Sequence, residues 1–139
     1  MFAANVSTTV YNKWHNPATK KDEWLRFVIP VLVRWKSHTE RNVSGTSASV
    51  ANTYVVIMPP SEQYTPEREW KILEDKTGYF TLQKGDLLAL GEVDTEITGV
   101  TPNREPEVKA ALSPNVMTIK SIEDNTRVAH GKHYRLEGF

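Results

Sequence analysis

The sequence contains no cysteine. That excludes disulfides, thiolate metal sites and cysteine nucleophiles. It also lacks any apolar run close to the roughly 20 residues a membrane helix needs. Residues 1–14 hold no basic stretch followed by an apolar one, so no signal peptide is expected, and the chain is expected to be made in the cytoplasm. Neither sign of charge is in excess: 17 basic residues face 17 acidic ones. A protein that grips nucleic acid through its phosphates ordinarily carries a basic surplus, so this balance counts against that class. No phosphate-cradling glycine loop is present either. Gly78, Gly85, Gly91 and Gly99 are scattered through turns, and none opens a helix.

The 139 residues are one domain's worth, expected over 1–139, and 39% of them are hydrophobic, enough for a real core. A net charge of zero is poor for a lone soluble monomer but suits a subunit covered by neighbours. The signs are also unevenly placed. Residues 1–45 carry a basic excess that includes Lys20, Lys21, Arg34 and Lys36. Residues 92–107 carry Glu92, Asp94, Glu96, Glu105 and Glu107 against Arg104. These are either two ordinary solvated surfaces or two complementary faces for head-to-tail packing of like subunits.

The patterning is that of strands. Residues 7–11 are rich in β-branched and aromatic types. From Phe27 to Trp35 every odd position is apolar or aromatic, the period of a strand with one buried face. Pro30 interrupts this Trp24–Trp35 segment, so the strand is expected to bend, bulge or lie at an edge there. Further strands are expected at 53–58, 80–82, 87–93, 116–122 and 133–136, the last two as an antiparallel pair. Glu105 to Leu112 is the one good helix, ended by Ser113-Pro114-Asn115, with a turn or two of helix at 67–73. Segments 12–22, 37–52 and 59–78 are expected to be extended loops, and 123–132 a polar turn. The fold class expected is mainly β: a small β-barrel or sandwich with long loops and one short helix.

Chemistry-bearing clusters are sparse. His130 and His133 with Asp124 read as a polar turn entering a strand rather than a metal site. Asp94 and Glu96 read as a solvated acidic edge rather than a catalytic pair. Lys84-Gly85-Asp86 resembles an adhesion tripeptide, but a glycine at a tight turn explains it. No catalytic residue, metal or cofactor is expected, and the chain reads as non-enzymatic. Four tryptophans are more informative. Trp24 and Trp35 are expected in the core. Trp14, Tyr64 and Trp70 fall in expected loops, where they either meet a partner or fold back over the sheet. With Lys20, Lys21, Glu105 and Glu107 they form the candidate interface.

The order of features also carries a resemblance. Val10-Tyr11-Asn12 opens the chain, Trp24 and Trp35 follow, and Tyr54 to Pro59 ends a strand in proline. Phe80 to Asp86, Gly91, Ile119 to Asn125 and His133 to Gly138 complete it. This layout resembles small structural proteins from the head and connector gene clusters of tailed phages and prophages of Gram-positive bacteria. It is similar to head-closure (stopper) and head–tail joining proteins. The resemblance implies a homo-oligomeric ring in the virion, touching portal, adaptor or tail proteins, with DNA passing through its lumen unread and no membrane contact. Other virion stations, namely adaptor, tail terminator or minor capsid protein, fit the same layout. The alternative of a different class is a small barrel that binds oligonucleotide or carbohydrate through exposed aromatics.

Overall fold

The computed structural model describes residues 6–44 and 47–139; for 38–44 and 47–52 it describes the backbone alone. Seven strands occur in the order β1 (Thr8–Asn16), β2 (Lys21–Val28), β3 (Arg34–Ser44), β4 (Ser47–Met58), β5 (Leu87–Leu90), β6 (Val116–Asn125) and β7 (His133–Gly138). Helix α1 (Glu67–Lys71) precedes β5, and α2 (Glu105–Leu112) precedes β6. The strands form one antiparallel sheet in the order β2-β1-β5-β6-β7-β4-β3.

The fold is mainly β, and the sheet is not closed into a barrel. The chain bends after β2, around Pro30, and β2 and β3 end up at opposite ends of the sheet order. A single bridge brings the ends together: Val6 and Val33 exchange N–H···O bonds of 3.1 and 2.8 Å. One bridge does not make a ladder, so both edges stay open beyond it.

Strand alternation explains the two buried layers. Val10, Leu88, Met117, Ile119, Leu136, Val56 and Met58 point inward to the main core, with Phe80 at its centre. The opposite side of β1 and β5 presents Tyr11, Leu87 and Ala89, packed under Ile97 and Val108 of α2. Trp24 and Trp35 are only half-buried, each flanking one of these clusters, rather than core residues.

Two expected loops are in fact strand. Segment 12–22 is the distal part of the β1–β2 hairpin, paired from Thr9↔Val28 to Asn16↔Lys21 around a turn at 17–20. Segment 37–52 continues the β3–β4 hairpin to Ser44↔Ser47, with residues 45–46 outside the described part. Polar sequence pairs here because each hairpin extends a register already fixed by apolar residues at its base. Two expected strands are shorter or missing. β5 stops at Leu90, before the positive-φ Gly91. Phe80–Leu82 makes only an isolated bridge, Tyr64↔Phe80. β6 runs on to Asn125, which shortens the polar turn to 126–132. The expected antiparallel β6–β7 pair and the α2 limits agree with the structure.

Candidate interaction surface

Two clefts border the open edge of β2. A cleft of about 430 Å³ is lined by five consecutive β2 residues, Glu23 to Phe27. Successive strand residues point to opposite faces, so a cleft that touches all five must run along the strand's outer edge. Its other wall is the 74–79 segment, with Trp14 and Glu96 at its margins. A second cleft of about 330 Å³ adjoins the same strand, with Asp22 to Leu25, Ile97 to Gly99 and Glu105 lining it.

Local chemistry builds both walls. Trp14, half-buried on β1, lies under the Lys76 ammonium, which sits 4.0 Å from its ring centroid and 5.5 Å from that of Trp70. Lys76 Nζ also donates to the carbonyls of Leu73 (2.8 Å) and Lys71 (3.2 Å), the open C-terminal end of α1. Burial holds its pKa below the ordinary lysine value. On the other face the 91–97 segment is strapped down. Thr9 Oγ1 donates to the Gly91 carbonyl and accepts from Val93 N–H. Tyr11 Oη donates to the Thr95 carbonyl at 2.7 Å, and burial pushes its pKa up to about 12. Arg26 donates to the Val93 carbonyl and pairs with Glu96 at 2.9 Å.

A buried polar cluster lies behind the β1–β2 hairpin. Asp86 is 3% exposed and accepts from Gln83 Nε2 (2.6 Å), Asn12 Nδ2 (2.9 Å) and Lys13 N–H (3.2 Å). Burial outweighs these donors and raises its pKa to about 6. The carboxylate of the Lys84-Gly85-Asp86 turn is therefore an internal staple, not an exposed adhesion group.

The expected interface residues disperse. Trp14 lines the first cleft and Glu105 the second. Lys20, at positive φ, and Lys21 are exposed at the tip of the β1–β2 hairpin. Glu107 pairs with Arg104 at 2.6 Å, which holds its pKa below the ordinary glutamate value. Trp70 is a correction: it is fully buried, because α1 folds the 59–78 connection back over the sheet. Tyr64 is held in the same way, its ring 4.8 Å from Tyr134 and 5.8 Å from Phe80, and burial raises its pKa to about 12. The β2 edge was expected only as one of three outcomes of Pro30, beside a bend or a bulge, and the clefts along it had no signal in the sequence.

His133 Nδ1 donates to the Gly131 carbonyl at 2.6 Å, and Asn125 Nδ2 donates to its Nε2 at 3.2 Å. Among the described residues no group of three acids or histidines is placed to hold a metal.

The sequence pattern of DUF6751, a family of unknown function, matches residues 3–139. The chain belongs to this family. No curated protein and no solved structure matches the DUF6751 chain. No helix among its described residues is long and apolar enough to cross a membrane.

Proposed function

We propose that this DUF6751 chain is a non-enzymatic structural subunit of a phage virion that joins head to tail as an oligomeric ring of the stopper or head-completion type. The observation that carries the reading is a single antiparallel sheet with an open edge at each end and two long hairpins beside those edges. A subunit of this shape offers one surface to each of two neighbours, which is what a ring requires. The layout resemblance supplies the station: assembly in the host cytoplasm, portal, adaptor or tail proteins above and below, and DNA passing through the lumen unread. Adaptor, tail terminator and minor capsid protein are the neighbouring stations.

Native mass spectrometry of the purified chain, alone and with the products of adjacent genes, tests this. A ring, or a complex with a portal or tail protein, is the expected outcome. A monomer that ignores those partners overturns it.

A second reading is favoured by Trp14, Trp24 and Tyr79, which together line the first cleft. Aromatics in a cleft stack on sugars or bases, and the carboxylates there weigh against an oligonucleotide. Tryptophan fluorescence unchanged by glycans at high concentration removes that reading.

A further inference from the structure

Two strand edges are uncovered in one chain: β3 opens with Arg34 and Lys36, and a carboxylate-lined cleft adjoins β2. The bond from Ile29 N–H to the Thr8 carbonyl (3.0 Å) sets the phase of the β1–β2 ladder. Alternation from that point turns the peptide N–H groups of Asp22, Trp24 and Arg26 away from β1, toward the two clefts. At the other end, the bond from Val33 N–H to the Val6 carbonyl (2.8 Å) likewise turns the peptides of Trp35 and Ser37 outward from β3. Among the described residues no strand covers the outer side of either.

The side chains match face by face. Trp35 packs on the main core, so Arg34 and Lys36 lie on the opposite face of β3. On the corresponding face of β2, the second cleft is lined by Glu23, Glu105 and Asp22, the last already paired with His15 (3.0 Å) and Lys13 (3.6 Å). In the first cleft the two cations are already engaged within the chain, Arg26 by Glu96 and Lys76 by two carbonyls.

From this geometry we infer that copies of the chain associate head to tail by sheet extension, the basic β3 edge of one copy entering the acidic clefts along β2 of the next. This deepens the ring reading and rests on it for the number of copies, but the contact itself follows from the edges alone. Main-chain bonds supply the affinity, and the carboxylates select the basic edge over a second acidic one. The contact is heterologous, so repetition closes a ring or grows a filament.

A charge exchange tests it. Variant one carries Asp22→Lys and Glu105→Lys; variant two carries Arg34→Glu and Lys36→Glu. All four positions are at least partly solvent-exposed, and circular dichroism confirms that each variant folds. Sedimentation velocity over a concentration series is expected to show the unmodified chain associating and each variant alone associating about tenfold more weakly or worse. Mixing the two variants is expected to restore association, because each then offers the other an opposite charge. Wild-type association that both variants retain overturns the inference and leaves the ring reading standing. Rescue on mixing, with no binding to portal or tail proteins, supports the inference and counts against the virion station. A wild-type chain that never associates overturns both.

Discussion

The side-chain amide of Asn12 pairs with the peptide of Thr81 as a strand residue would: Oδ1 accepts from Thr81 N–H at 3.1 Å, and Nδ2 donates to the Thr81 carbonyl at 2.7 Å. Both residues are buried. The amide thereby satisfies backbone groups of a segment that has strand composition but no strand partner. Asn12→Ala strands both groups of Thr81 and removes a donor from Asp86. Each orphaned buried group costs about 1–3 kcal/mol. A loss of about 3 kcal/mol or more is expected in urea unfolding, whereas Ala at the exposed Glu62 is expected to change stability by less than about 0.5 kcal/mol.

Asp86 makes stability depend on pH in an unusual direction. Its pKa is raised from 3.8 to about 6 in the folded chain. Between those values the folded state keeps a proton that the unfolded state has released. Stability from this group is therefore full below about pH 4 and falls as pH rises through 6, by about 3 kcal/mol in all. The exposed Asp22 and Asp124, whose pKa values are lowered, act in the opposite sense and only at lower pH. Carbon-13 NMR is expected to place the Asp86 midpoint near 6. Asp86→Asn is expected to flatten the decline of melting temperature between pH 4 and 6.

Gly138 closes the β7 ladder where a side chain has no room. A Cβ there would collide with the Thr118 carbonyl oxygen and press on Met117 Sδ. Gly138→Ala is expected to destabilise the chain by about 1–3 kcal/mol, read by calorimetry. Ala at Gly131, where a Cβ meets nothing within 4 Å, carries only the strain of its positive φ.

Lys76 holds the outer wall of the first cleft. Lys76→Met keeps much of the stem and removes both the cation over Trp14 and the donor to the α1 carbonyls. A loss of about 1 kcal/mol is expected, with faster amide exchange at residues 72–79 and unchanged exchange in β5.

Much of this architecture was legible where local pattern and burial coincide. The odd-position alternation of Phe27 to Trp35, its interruption at Pro30 and the α2 limits are all local signals. The distal hairpins were not legible. Asn12 to Asn16 and the Ser- and Thr-rich 37–52 segment have little apolar alternation, and their pairing is inherited from residues nearer the hairpin bases. Asp86 was hidden for a different reason. A Lys-Gly-Asp turn reads as solvated, and the donors from Asn12 and Lys13 that accompany its burial lie 74 and 73 residues away in sequence. Trp70 and Tyr64 were placed in a connection of uncertain course, and only the tertiary fold decides between a partner and the core.

The order β2-β1-β5-β6-β7-β4-β3 also constrains how the chain comes to be built. The first two hairpins are complete by Met58, yet each lies at a different end of the sheet. They become parts of one sheet only when β5 pairs with β1 and β7 pairs with β4, from Tyr54↔Gly138 to Met58↔Tyr134. A nascent chain leaving the ribosome therefore carries two finished ribbons joined by no strand ladder, only by the Val6–Val33 bridge. The last strand to be synthesised is the seam that joins them, so the uncovered side of β4 stays open to wrong pairings until the final residues emerge, whereas that of β1 waits only for β5.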